Sequence, residues 1–437
     1  MLSGAMAWKR GACALAVIGL LISLSSCATY TASMRRVDQA LAAQNPAAAL
    51  KALAPMEGGR DQSLYLLNKA MILRMQGDYA ASTDAFERAK HLMTYLEATS
   101  VSENAAALSL SENLRSFEGE LYERLLLHVY LGLNYLQMDD VDSARVEVKQ
   151  IDDLLKRLYP GTDAAPNGGD TFARYFSGMV YEDAGDWSDA MIGYRKAYQA
   201  YRAEGVADSN IPPDLQISLC RFADYLGLDQ ERDDYKKRFG IDSWPSVQPE
   251  GNDPDGQLVF VLSNGLAPRK VAATAVVQDP VSGHFFSISL PRLERRRPDV
   301  SNAMIEIADK TAVTRPVESI DYDATRALSV ELPRLTAYEL SRNVVRQAAA
   351  NQADKNQPGM GALLSIIGTV VDQADTRIWN TLPDDIQLAR LRLPPGTYDL
   401  KVSLRGRGDN LVQSRTFEDV VIKPGRMTFT AWHAVNY

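Results

Sequence analysis

Cysteine is scarce in this chain: three in 437 residues, at positions 13, 27 and 220. No two are spaced as a zinc-binding pair, and too few remain for a disulfide framework. Histidine is equally thin, with only His91, His128, His284 and His433. None lies in an H-E-x-x-H pattern, and the P-loop, the G-x-S-x-G elbow and the Rossmann glycine fingerprint are all missing. Acidic doublets occur at Asp152-Asp153 and Asp384-Asp385. Neighbours on a helix point apart, so a doublet makes no paired-carboxylate site. No catalytic residue and no metal ligand is therefore assigned, and the chain is not expected to be an enzyme. The formal charge of −8 argues against nucleic acid as a partner. No apolar run reaches the ~20 residues of a membrane span.

What is present begins at the N-terminus. Lys9 and Arg10 precede an uncharged apolar run from Gly11 to Leu24, which has the length of a signal-peptide core. Leu24-Ser25-Ser26-Cys27 follows and resembles the lipobox of bacterial lipoproteins. The resemblance implies that residues 1–26 are removed and that the Cys27 sulfur carries a diacylglycerol. That covalent lipid is the only cofactor-like group expected. One acyl chain anchors marginally, whereas two or three hold a protein on a bilayer stably. Ala28 replaces the Asp of inner-membrane retention. The sorting rule then implies an outer-membrane location facing the periplasm, with residues 27–37 as a short tether. Loss of Lys9 and Arg10 moves the charge from −8 to −10. Cys220 is left as a lone thiol, so stability must come from packing.

Residues 38–240 read as helices. In "GMVYEDAGDWSDAMIGYRKAY", Gly178, Gly185, Trp187, Ala190, Tyr194 and Ala197 sit at the offsets of a tetratricopeptide (TPR) helix-turn-helix unit. Small residues suit a close helix crossing, Gly185 a turn, and Trp187 and Tyr194 the gap between helices. Ala70, Gly77, Ser82 and Phe86 repeat the spacing, as do Gly132, Asp139, Ala144 and Val148 more loosely. A degenerate copy covers 218–240, and a loop insertion rich in Ser, Asn and Glu covers 97–118. The intervals between turns differ from the 34 residues of a regular array, so the solenoid is expected to be irregular. Such an array either grips a partner along its concave face or stacks against its own C-terminal half. His128, among apolar neighbours, is read as a packing residue.

The turn-rich segment 241–256 marks the boundary to a second part, 257–437. Its alternating segments predict strands, as in "QLVFVLSN", "MIEIAD", "TYDLKVSL" and "RMTFTAWH". A helical insert interrupts them at about 324–375: one helix over Ala324 to Asn351, broken or kinked at Pro333, and a second from Met360 to Asp375. The expected fold class is α+β: an irregular TPR-like α-solenoid, then an antiparallel β domain with an inserted helical pair. In "QADTRIW", Arg377 and Trp379 have two readings, a recognition patch or a junction in which Arg377 pairs with Asp375 and Trp379 plugs the core. Four arginines, 292 and 295–297, share one loop, read as a solvated face or an anion contact.

"YERLLLHVYLGLNYL", "GLAPRK" and "QADTRIWNTLPDDIQLARLRLPPGTYDL" together resemble a family of Gram-negative TPR-type lipoproteins. The resemblance implies a lipidated envelope protein and supplies no catalytic residues. The expected function is an outer-membrane scaffold or regulator in the cell envelope, with cell-wall synthesis one candidate pathway. Its partners would be the membrane, through the lipid, and an envelope protein, with Trp187, Tyr194, Arg377 and Trp379 as candidate binding residues. The alternatives are a structural subunit of a secretion or surface-assembly complex, and a periplasmic enzyme or ligand carrier whose site forms only in the fold.

Overall fold

The computed structural model describes residues 25–59, 61–103, 117–161, 165, 168–248, 253–278, 285–356 and 374–436. The apolar run 11–24, the Cys27 side chain, most of the 97–118 insertion and the second helix of the expected insert lie outside the described residues.

Helices occupy the first part: α1 Ser25–Ala42, α2 Pro46–Leu53, α3 Gln62–Met75, α4 Tyr79–Glu103 and α5 Leu121–Gln137. They continue with α6 Val141–Leu158, α7 Thr171–Asp183, α8 Trp187–Ala203, α9 Pro213–Tyr225 and α10 Asp229–Phe239. Residues 27–37, read as a tether, are part of α1. The helices pair in succession, and each pair turns through one left-handed residue. These are Gln44 (φ 55°), Gly77 (81°), Asp139 (62°), Gly185 (78°) and Gly227 (68°). Glycine takes this region without cost. Asp139 is among the few L-residues that adopt it readily, and Asp140 then caps α6 by accepting the Ser143 N–H at 3.0 Å. The two helices of a pair differ in character. α5 and α7 are buried along most of their length, whereas α6 buries one stripe, Ala144, Val148, Ile151 and Leu155. The first helix of each of these pairs is therefore an inner helix and α6 an outer one.

Strands follow: β1 Gly256–Asn264, β2 Arg269–Gln278, β3 Phe285–Glu294, β4 Val300–Ile307, β5 Lys310–Val313 and β6 Arg315–Ser319. Helix α11, Ile320–Asn356, precedes β7 Asp385–Leu393, β8 Gly396–Gly406, β9 Leu411–Ile422 and β10 Met427–Ala434. Pro333 does not end α11; it sits inside the helix on an exposed side. The strands make two four-stranded sheets, β10-β1-β7-β6 and β5-β4-β8-β9, and a separate β2–β3 hairpin. The expectation of a wholly antiparallel domain needs one correction, because β1 and β10 pair in parallel. β7 already takes one edge of β1 antiparallel, and β10 enters on the other edge in the direction of β1.

β1 explains how the layers stack. Successive strand residues face opposite sides. Leu258, Phe260 and Leu262 pack with Ile305, Val402 and Leu404 of the second sheet, while Val259 and Val261 join the helical core. β1 is consequently buried on both faces, apart from Gln257. The molecule is three layers deep: helices, first sheet, second sheet. One apolar core runs through the helices and the near face of the first sheet, with Ile386, Leu388 and Phe429 among its strand residues. The face of the helices that carries the inner helices is thus covered by the chain's own sheet.

Candidate functional site

Polar side chains fasten that covered face. Glu182, on inner helix α7, receives Arg221 at 2.5 Å, Arg390 at 3.1 Å, Gln257 at 3.2 Å and the Tyr194 hydroxyl. Burial alone would raise its carboxyl, but Arg221 and Arg390 outweigh burial and hold it at about 2. Next to it, Asp183 accepts the Met427 N–H at 2.6 Å and pairs with Arg426 at 3.0 Å. Tyr201 donates to the Val317 carbonyl at 2.6 Å, and Tyr130 meets Ser263 at 3.1 Å. At the other end of the array, Asp38 of α1 is held by Arg269 at 2.7 Å and Arg296 at 3.0 Å.

The sequence-derived candidates fall inside this arrangement rather than on a surface. Trp379 is fully buried, edge-on to Phe86 and Tyr130 at 5.8 and 6.3 Å between centroids. Its backbone N–H is accepted by Glu123 at 2.7 Å, and Thr381 meets Asn68 at 3.0 Å. Arg377 is buried, forked onto Asp375 and 3.0 Å from Asp61. Tyr194 is fully buried, its ring stacked over Gly178 and against Phe222. Trp187 is half-buried between α8 and α9, 6.1 Å from Phe222 and 6.2 Å from Tyr225. Of these four, Tyr194, Arg377 and Trp379 are buried and Trp187 is half-buried. Large aromatics and a twice-paired guanidinium gain more from filling the helix–sheet junction than from solvent. His128 meets Glu147 at 2.7 Å, and Glu147 meets Lys90 at 2.8 Å, so the histidine is a satisfied packing residue.

Two features were not legible in the sequence. Arg296 is a buried clamp, donating to the Ala267 and Asn380 carbonyls at 2.6 Å each, not part of a solvated run. Four carboxyls also converge where α11 meets α7 and α8: Asp170, Glu204, Glu318 and Asp323. Glu318 accepts the Thr171 hydroxyl at 2.7 Å and the Phe172 N–H at 2.9 Å. Burial first, and then the Glu204 charge, push it up to about 7. Burial and Glu318 push Asp323 well above the usual range. Asp323 lines a cavity of about 420 Å³ with Tyr122, Gly169, Ala327, Val330 and Arg334. Among the described residues no cluster of His, Cys, Asp and Glu is placed to hold a metal ion. The thiol of Cys220 is buried and pushed up to about 11, far from a reactive thiolate.

The outer helices offer a different surface. Tyr95 on α4, Val146 on α6 and Ile192 on α8 are 65, 55 and 42% exposed. They occupy equivalent second helices of successive pairs.

The chain matches no protein-family model, and no curated protein matches it. The resemblance to TPR-type lipoproteins therefore rests on its motifs alone.

Proposed function

We propose that this protein is an outer-membrane lipoprotein, anchored through Cys27 and facing the periplasm, that serves as a protein–protein interaction scaffold in the cell envelope. Its helical part is an irregular TPR-like solenoid, a reading supported by the left-handed residue recurring at each turn between paired helices. The observation that carries the functional reading is the division of the array's two faces. The inner face is occupied by the first sheet through Glu182 and Asp183, and by the segment before β7 through Glu123. The outer face presents Val146 and Ile192 at the same offset from the turn residues Asp139 and Gly185, and Tyr95 farther along α4. A partner docks on the outer face, not in a concave groove, and exposed apolar positions in a polar surround are what such an interface needs. Cys27 holds this surface at the membrane.

In-cell crosslinking followed by pull-down of the native protein tests the reading, with Cys27→Ser as the mislocalised control. A discrete envelope partner lost in the control is the expected result. Recovery of the protein alone in both forms would remove the scaffold.

A ligand carrier is the second reading, favoured by the cavity beside Asp323. Mass spectrometry of the gently purified protein under native conditions checks it. A co-purifying small molecule released by Asp323→Asn supports a carrier, and the bare polypeptide mass opposes it.

A further inference from the structure

Of the four carboxyls that meet beside α11, three are supplied with donors. Asp170 takes the Arg174 guanidinium at 2.5 Å and the Ala165 N–H at 3.1 Å. Glu204 accepts the Gly169 N–H at 3.0 Å and lies in the field of Arg326. Glu318 accepts from Thr171 and Phe172. Asp323 differs. It is only 4% exposed, and neither of its carboxyl oxygens receives a hydrogen bond from a donor among the described residues. Its neighbour is Glu318, a second carboxyl, and two carboxyls bond each other only by sharing a proton.

A buried acceptor without a donor is costly, and this one opens on a cavity. The 420 Å³ space has Asp323 and Tyr122 among its buried walls, with the exposed side chains of Leu158 and Val330 at its mouth. That volume lies within the range of small-molecule sites. A glycine leaves room beside the carboxyl. Gly169 takes φ 81°, and a Cβ there would stand 3.7 Å from Asp323 Oδ1 and 3.1 Å from the Tyr122 Cβ.

The charges around the cavity leave it short of cation. Four carboxyls face two guanidiniums, Arg174 on Asp170 and Arg326 near Glu204. At the rim Glu120 and Glu331 balance Arg124 and Arg334, and those arginines already meet Glu97 at 2.8 Å and Glu331 at 2.6 Å. Tyr122 and Tyr201, which face the cluster from α5 and α8, are pushed up by burial and stay neutral. Protons make up the difference: Glu318 is raised to about 7 and Asp323 well above the carboxylate range. A bound cation does the same and adds hydrogen bonds.

We propose that the cavity binds a small organic amine, its ammonium donating to Asp323 and its apolar body lying against Tyr122, Leu121 and Ala327. An ammonium brings three donors and a positive charge to a place where the chain brings neither. An alcohol brings a donor without the charge, and an anion meets four carboxyls. The walls favour a cation that carries hydrocarbon, and among the described residues no carboxylate group is placed to enclose a metal ion. The proposal rests on the carrier reading of this cavity and names the class of its cargo; the scaffold plays no part in it.

Isothermal titration calorimetry of the purified protein with 2-phenylethylamine tests it, beside 2-phenylethanol, phenylacetate and magnesium chloride. The amine should bind at pH 8 and several-fold more weakly at pH 5, where Glu318 and Asp323 both keep their protons. At pH 8, titrations in phosphate and in Tris should differ in heat in the sense of protons released, because the ammonium displaces the proton of Asp323. Asp323→Asn should weaken the amine at least about tenfold. Proton release from the native protein carries the test if that variant does not fold. Phenylethanol or phenylacetate binding as tightly as the amine overturns the proposal and leaves a carrier of another class. Tighter binding of magnesium, or amine binding without proton release, overturns it as well. Heat from none of the four also overturns it, and the native mass spectrum then decides the carrier reading by itself.

Discussion

Glu182 of α7 and Arg390 of β7 lie 208 positions apart in sequence and 3.1 Å apart in space, both almost wholly withdrawn from solvent. Arg221 reaches the same carboxylate from α9, so three elements of two different layers share one ion cluster. Buried charges of this kind add little net stability when complete, but removing one partner strands the others.

Glu182→Gln should therefore cost about 3–5 kcal/mol, because Arg221 and Arg390 are left without their carboxylate. Urea unfolding of the variant beside the native protein measures it. A change below about 1 kcal/mol would mean that the cluster is solvated rather than buried.

The same residue sets an acid limb. Its carboxyl is held at about 2 in the fold, against an ordinary 4.5. The unfolded chain thus takes up the proton first, and the stabilisation is complete above pH 4.5 and is lost as pH falls toward 2. Thermal midpoints measured from pH 6 to pH 2.5 should fall for the native protein and fall less steeply for Glu182→Gln.

Glu318 has the opposite sign. Burial and Glu204 raise it to about 7, so the folded state holds a proton that the unfolded chain releases near 4.5. Its contribution is full below pH 4.5 and fades as pH rises through 7. Glu318→Gln, which keeps an acceptor for Thr171 and Phe172, should flatten the decline in stability between pH 5 and pH 8. A decline identical to that of the native protein would place the titration elsewhere.

Trp379→Ala empties a fully buried site between Phe86 and Tyr130 and should cost about 3–5 kcal/mol. Hydrogen exchange should quicken in both α5 and β7, since the side chain joins the two layers. Faster exchange confined to residues 374–384 would show that the layers hold without it.

Gly193→Ala is expected to be worse than its size suggests. A Cβ there would stand 2.8 Å from the backbone of Gly178, and a neighbouring main chain cannot rotate aside. The α7–α8 pair must open, at about 1–3 kcal/mol. A thermal midpoint equal to that of the native protein would contradict this crossing.

Much of the helical part was legible because its signals are local. Gly77, Asp139 and Gly185 mark turns by conformation, and Gly178, Ala190 and Tyr194 by the close crossing of neighbours in sequence. The strands were legible by alternation, yet the parallel pairing of β10 with β1 was not, because register between distant strands leaves no local pattern. The same limit explains the candidate residues. Trp379 and Tyr194 carry the composition of a binding patch and of a core alike. In the fold Trp379 is covered by Phe86 and Tyr130 from distant segments, and Tyr194 by Gly178 and Phe222 of the neighbouring helices. The carboxyl group of Asp323 and its three acidic neighbours come from three separate segments, around 170, 204 and 318–323, and no spacing in the sequence announces their meeting.

The central claim is that a partner meets the outer helices of a body anchored at Cys27. Site-specific photocrosslinking in cells tests it most directly, with the crosslinking side chain placed singly at Tyr95, Val146 and Ile192, and at Val421 on the outer sheet. The account predicts one common adduct from the three helical positions, absent from Val421 and lost when Cys27 is replaced by serine. An adduct formed from Val421 alone, or none from the helices in a correctly anchored protein, would contradict it.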